Sequence, residues 1–204
     1  MSELRRAFVA VVPPPAALAG VESTVDSLGE LVPSDESGDG LRWTPRDQWH
    51  LTVQFLGRLV ELDSLVESLV DSLRRVPAFD VQLGGGGAFP EPAHGSVLWV
   101  GVAAGGAELA ALAGAVHEAT APLGFATDGR PFRPHLTLAR APMARDLAEL
   151  VTALGDGPVG PAWTVDEVVL VESTPSTREG RPAGAVHTHV RTFALRGGRG
   201  SVPC

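Results

Sequence analysis

The chain has 204 residues, 44% of them apolar, and a formal net charge of −8, so it can build a core as one domain or as two small lobes sharing one. No apolar run approaches the ~18 residues of a membrane span, and a lone Cys204 excludes both an internal disulfide and a cysteine-based zinc site. The acidic balance argues against a general nucleic-acid coat, although a pocket that takes one RNA end is compatible with it.

All 16 basic residues are arginine, and there is no lysine and no tyrosine. No Lys can serve as nucleophile and no Tyr as proton donor. Every fixed positive charge is a guanidinium, able to hold two phosphate oxygens at once.

Residues 4–12 read as a strand, a short apolar run stopped by Pro13-Pro14-Pro15 rather than a leader sequence. Residues 14–32 read as a helix with Leu18, Val21, Val25 and Leu28 on one stripe, followed by a polar loop over 34–40. A short extended piece over 41–44 and a turn over 45–47 lead to a strand over 49–56 closed by Gly57. A helix is predicted over 62–75 and a strand over 78–83. Gly84 to Gly87 predict a bulge or tight turn, and they lack the Gly-Lys-Ser/Thr ending of a phosphate loop. Then follow a strand over 96–102, a helix over 108–120, a strand over 133–139, a helix over 145–154, and two paired strands over 165–171 and 186–195. The tail from 197 reads as frayed. Strands mixed with helices out of strict alternation indicate an α+β fold with antiparallel sheets.

The chemistry lies in a repeat. His50-Leu51-Thr52-Val53 returns as His135-Leu136-Thr137-Leu138. With six His and twelve Thr in the chain, chance places Thr two residues after His roughly 0.35 times. It happens twice, and each copy is followed by an amphipathic helical pattern, Leu62-Leu65-Val66-Leu69 and Leu147-Leu150-Val151-Leu154. The duplication suggests two similar lobes in a single bilobal domain over 1–204.

Residues i and i+2 of a strand share a face, so His50 with Thr52, and His135 with Thr137, project together while Leu51, Val53, Leu136 and Leu138 enter the core. If the lobes meet about a pseudo-twofold axis, the four polar groups face each other. One neutral imidazole can then take a proton from a nucleophile while a charged one gives a proton to a leaving group. In-line displacement at phosphorus requires this two-sided arrangement, with hydroxyls on the non-bridging oxygens. Two His and two Thr make a poor zinc site, so no metal and no cofactor is expected.

Both motifs, in His50-Leu51-Thr52-Val53-Gln54-Phe55-Leu56-Gly57 and Arg133-Pro134-His135-Leu136-Thr137-Leu138-Ala139-Arg140, resemble those of the 2H phosphoesterase superfamily. With Arg42-Trp43, Gly87-Ala88-Phe89-Pro90, Val97 to Val102 and Leu170-Val171-Glu172-Ser173, the chain is most similar to the RNA 2',3'-cyclic phosphodiesterases, also called 2'-5' RNA ligases. The resemblance implies a bilobal pseudo-twofold fold, with antiparallel sheets lining a central cleft and helices outside. It implies metal-independent hydrolysis of a 2',3'-cyclic phosphate at an RNA end to a 2'-phosphate, with reverse 2'-5' ligation permitted. It implies His50 as proton donor, His135 as proton acceptor, and Thr52 and Thr137 as phosphate ligands. Without a bound substrate a pseudo-symmetric pair works either way round. Another small cyclic nucleotide, a 2'-5' linkage, or binding of an RNA end without turnover remain alternatives.

Arg133 has the parity of His135 and is expected at the phosphate; Arg140 has the opposite parity unless the strand ends or bulges first. Arg42 can reach the cleft, and Trp43, Phe89 and Trp99 are candidates to stack a base. The family pattern has Tyr in the last strand, where this chain has His187; His187 and His189 read as a surface strand, His94 as a hairpin tip and His117 as exposed on its helix. A soluble, cytoplasmic monomer acting on an RNA end or small cyclic nucleotide, with no membrane partner, is expected.

Overall fold

A computed structural model describes residues 6–32, 40–58, 62–127, 129–178 and 181–198. The first two residues of the expected opening strand, nearly all of the expected 34–40 loop, and the tail from 199 with Cys204 lie outside them. Strand β1 (Arg6–Val11) is buried from Ala7 onward. Ala7, Val9 and Val11 enter the main core, while Phe8 and Ala10 on the other face pack against Val169 and Val171. Burial on both faces explains why its sequence is a continuous apolar run rather than an alternation.

Beyond β1 the strands are β2 (Arg42–Trp43), β3 (Leu51–Arg58), β4 (Phe79–Phe89), β5 (Gly95–Ala104), β6 (Leu136–Arg145), β7 (Pro158–Val165), β8 (Glu167–Arg178) and β9 (Arg181–Ala194). They form one sheet in the order β7-β4-β5-β6-β3-β1-β8-β9, with β2 added on β6. All of these pairings are antiparallel. A cut between β6 and β3 divides the order into two sets of four, and these are the two lobes. Only Leu51 and Leu136 pair across the cut, so the halves touch at the repeat itself and diverge beyond it.

The helices are α1 (Pro15–Gly29), α2 (Leu62–Leu73), α3 (Gly106–Thr120) and α4 (Ala148–Leu154). Pro15 opens α1, where a missing N–H costs nothing. Each helix buries one stripe, for example Leu65, Leu69 and Leu73 of α2 or Leu109, Leu112 and Val116 of α3. Helix α1 follows a strand of one lobe but packs on β7 of the other, and α3 follows β5 yet packs on α2 and β3. This exchange ties the lobes together. At the α1–β7 contact, a Cβ on Gly20 would lie 2.5 Å from the Gly160 backbone.

Several element assignments change, among them the last two strands, which lengthen to Glu167–Arg178 and Arg181–Ala194. The 133–139 strand begins only at Leu136 and runs to Arg145, and α4 starts correspondingly later. Strand β7 is not legible in advance because Pro158, Gly160 and Pro161 interrupt it; as an edge strand it tolerates them. The four glycines lie inside β4 rather than ending it. The ladder skips from Leu83↔Val102 to Gly86↔Val100, a bulge in which Gly85 has φ +74°.

Gly84 lies where a Cβ would press on the Gly157 carbonyl, Gly86 where it would press on Leu154, and Gly87 where it would overlap the Trp99 indole. Trp99 is 4% exposed and has little room to retreat. Gly87→Ala is therefore expected to destabilise the fold by about 1–3 kcal/mol through overpacking. Urea unfolding would show this as a lower midpoint at constant slope, and an unchanged midpoint would mean that Trp99 moves freely.

Candidate active site

His50 and His135 each precede the one residue of their strand that pairs across the lobes. One step outward along that antiparallel register, His50 lies opposite Thr137 and His135 opposite Thr52. All four line one cleft of about 1180 Å³, with Trp43, Gln48, Arg140 and His187.

Both imidazoles are held alike. Nδ1 of His50 donates to the Gln48 carbonyl at 2.7 Å, and Nδ1 of His135 donates to the Arg133 carbonyl at 2.7 Å. A carbonyl only accepts, so Nδ1 carries the hydrogen and Nε2 is left as the working nitrogen of each ring. The two-residue spacing that unites His and Thr is realised directly: Nε2 of His50 is 3.1 Å from Thr52 Oγ1. Support for His50 reaches further, since the Gln48 side chain donates to the Ala185 carbonyl of β9 at 2.8 Å. An ion pair between Arg46 and Glu22 ties the same segment to α1.

Of the two candidate arginines, Arg140 reaches the cleft through a bulge and Arg133 does not. Arg133 precedes β6, and its guanidinium lies 4.5 Å over the Trp99 ring and 5.7 Å from that of Phe89. Its side chain is not among those lining the cleft. Arg140 lines it, with Nη2 3.5 Å from Thr137 Oγ1. The cause is a bulge: Leu98 pairs with Ala139 but Trp99 pairs with Thr137, so Leu138 is extra and Arg140 joins the face of Thr137. Arg42 lies directly opposite Arg140 and lines the cleft.

Two ring contacts were not legible. Phe8 stacks on His50 at 4.6 Å, and His187 meets His50 edge-on at 5.2 Å. His187 is thus half-buried at the cleft rather than on a surface strand. A phenylalanine in an apolar strand carries no mark of such a role. On the other side Phe89 meets the His135 ring edge-on at 4.9 Å. Trp99 is too buried to receive a base, whereas Trp43 lines the cleft. His117 is half-buried rather than exposed, and His94 is exposed in a short turn.

Burial lowers the His50 pKa to about 4. Neighbouring His187, Arg140 and His135 push the same way, and the Gln48 carbonyl pulls upward. His135 is also lowered, by burial first and then by Arg140 and Arg133, against the Arg133 carbonyl. Burial likewise lowers His187, which Asp47 partly offsets. Without an anion both motif imidazoles are neutral at pH 7. A phosphate between them reverses the balance, since negative charge favours the imidazolium. Among the described residues, no group of three or more His, Cys, Asp or Glu gathers as a metal site. No helix there is long and apolar enough to cross a membrane.

The family model of the 2'-5' RNA ligase superfamily matches residues 13–176. The chain belongs to that superfamily. It is 30% identical over 180 residues to the RNA 2',3'-cyclic phosphodiesterase of Methanothermobacter thermautotrophicus, covering 85% of this chain and 94% of that one. A crystal structure from Thermus thermophilus superposes with TM-score 0.72 at 27% identity, covering 96% of this chain and all of that one. Escherichia coli LigT complexed with 3'-AMP superposes with TM-score 0.66 at 27% identity, covering 94% and 98%. The bilobal α+β fold is that of this superfamily.

Proposed function

We propose that the protein is a metal-independent RNA 2',3'-cyclic phosphodiesterase that opens a cyclic phosphate to a 2'-phosphate. The observation that carries this reading is the pair of like-held imidazoles, each tied through Nδ1 to a backbone carbonyl so that Nε2 is the working nitrogen, flanking Thr52, Thr137 and Arg140 in one cleft. The relative's name and the LigT complex with a nucleotide support it.

In this mechanism His135 Nε2 takes a proton from water as its oxygen attacks phosphorus. The bond from phosphorus to the 3'-oxygen breaks, and His50, charged once the anion is bound, gives its Nε2 proton to that oxygen. Thr52, Thr137 and Arg140 hold the non-bridging oxygens as charge builds on them. Solvent then returns both rings to their starting states. With a 5'-hydroxyl in place of water, the reverse path joins RNA ends through a 2'-5' bond, and hydrolysis dominates in water.

Incubation with a 2',3'-cyclic-phosphate oligonucleotide in EDTA tests the reading, with the product's phosphate position identified. Turnover to a 2'-phosphate is expected. Loss of activity on chelation would replace it with a metal-dependent hydrolase, and tight binding without turnover with a recognition module.

The pH profile follows from the lowered imidazoles. The reactive free protein carries one proton on the pair, and both groups titrate below 6.5. The maximum of kcat/KM is therefore expected on the acid side of 6.5, with a fall as pH rises through the upper of the two values. Bound phosphate raises both groups, so the kcat profile is expected at higher pH. Rates between about pH 4 and pH 9 check this, and a kcat/KM still climbing at pH 8 contradicts it.

A further inference from the structure

Each motif imidazole packs against two further rings. His135 has Phe89 edge-on at 4.9 Å and Trp99 tilted at 6.1 Å. His50 has Phe8 stacked at 4.6 Å and His187 edge-on at 5.2 Å. In each group the two outer rings also touch each other, Phe89 with Trp99 at 5.2 Å and Phe8 with His187 at 5.1 Å. Each working imidazole is therefore one member of a closed set of three rings. Phe8 and Trp99 come from corresponding places, β1 beside β3 and β5 beside β6. The edge-on rings do not correspond. Phe89 ends β4, two strands from β6, and His187 lies on β9, three strands from β3. The repeat does not supply His187; a separate part of the chain brings it to the equivalent position.

Both nitrogens of His50 are occupied, Nδ1 by the Gln48 carbonyl and Nε2 by Thr52 Oγ1. His187 meets His50 through ring contact alone. A hydrogen bond lies in the plane of an imidazole and does little against tilting out of that plane, and the last torsion of a histidine side chain is broad. Rings packed against the imidazole supply the missing restraint. Strand β9 is fastened to the His50 segment a second time. Gln48 and Ala185, each two residues before its histidine, are joined by the 2.8 Å bond from the Gln48 side chain to the Ala185 carbonyl. Beside the rings is a second, small cavity of about 20 Å³, lined by Phe8, Trp49, His50 and His187 among others, about the room of one water. His187 borders both this cavity and the main cleft, so its removal opens space into which His50 can tilt.

Resting on the paired-imidazole reading, we propose that His187 is a positioning residue for His50, its ring holding the imidazole in the orientation that aims Nε2 at the departing 3'-oxygen. It acts by its shape and not through its own nitrogens. The test measures kcat and KM in EDTA on a 2',3'-cyclic-phosphate substrate, with the thermal midpoint as control for folding. His187→Ala is expected to lower kcat about tenfold or more, since a misplacement of ~1 Å can cost ~10²-fold. KM should change by less than about threefold, because binding of the ground state is untouched. His187→Phe, which keeps a ring without the nitrogens, should recover most of the loss. Adding His187→Ala to His50→Ala should cost no more than about threefold further, because no imidazole is left to position. A substrate with sulfur in place of the 3' bridging oxygen should relieve the defects of His187→Ala and His50→Ala alike. An unchanged kcat in His187→Ala, or its full loss repeated in the His50→Ala background, would overturn the proposal. So would relief by sulfur of one variant and not the other. A loss confined to KM would make His187 a substrate ligand instead, and a His187→Phe variant no better than His187→Ala would place the work on its nitrogens. No turnover by the unmodified protein would remove the catalytic reading, and the positioning role with it.

Discussion

Replacing His50 or His135 by alanine is expected to lower kcat by about 10²–10⁴-fold, the usual contribution of one positioned acid or base. Each ring is half-buried at the cleft, and its Nδ1 bond ends on a backbone carbonyl that remains after substitution. The loss should therefore fall on chemistry more than on folding, with the thermal midpoint as control. The double variant should lose much less than the product of the single losses, because the two imidazoles act in one proton transfer sequence.

The two roles separate with a substrate whose 3' bridging oxygen is replaced by sulfur, since a departing thiolate has little need of a proton. That substrate should restore much of the rate of His50→Ala and little of His135→Ala. Rescue in the opposite variant would exchange the acid and base assignments. Near-normal kcat in both variants on the ordinary substrate would end the paired-imidazole mechanism.

What was legible in the sequence was what period two encodes. His50 with Thr52 obeys strict alternation, and so does the burial of Leu51, Leu136 and Leu138, each at or below 1% exposure. Wherever a bulge intervenes, the alternation misleads. Leu138 carries no mark of being an extra residue; its bulge arises because Trp99 pairs with Thr137 and not with Leu138. Pairing partners are a tertiary property, so parity alone leaves Arg140 open between the two faces until the bulge is seen, and puts Arg133 on a strand it does not join.

The glycines of β4 show the same dependence. Gly84 to Gly87 read as a bulge or tight turn after a strand ending at Leu83, because local propensity disfavours glycine in a strand; the bulge is there, but the strand runs on through it. Their purpose appears only when Trp99, Leu154 and Gly157 are seen against them. The contact of His187 with His50 joins residues 137 positions apart and depends on β9 lying three strands from β3 in the sheet, with β1 and β8 between. The exchange of α1 and α3 between lobes likewise leaves no local trace, since an amphipathic stripe states that a helix packs and not on what.

Arg140 and Arg133 give the second large effect, and they are expected to differ in kind. Arg140 lies beside Thr137 in the cleft, where a guanidinium can meet the non-bridging oxygens. Burial lowers its pKa, yet a guanidinium keeps its proton in a protein, so the charge is present when phosphate arrives. Removing such a donor costs about 10²–10³-fold in rate, and Arg140→Ala should show that loss in kcat/KM. Arg140→Lys should recover only part, because a lysine cannot hold two oxygens in one plane. Arg133 spends its charge on the Trp99 and Phe89 rings, and it serves His135 through a backbone carbonyl that Arg133→Ala retains. That variant should lose about 0.5–2 kcal/mol of stability, the range of a cation–π contact, with less than about a tenfold change in rate. Urea unfolding and kcat/KM measured on both variants separate the two roles. A larger rate loss in Arg133→Ala than in Arg140→Ala would return the phosphate to the residue favoured by simple strand parity.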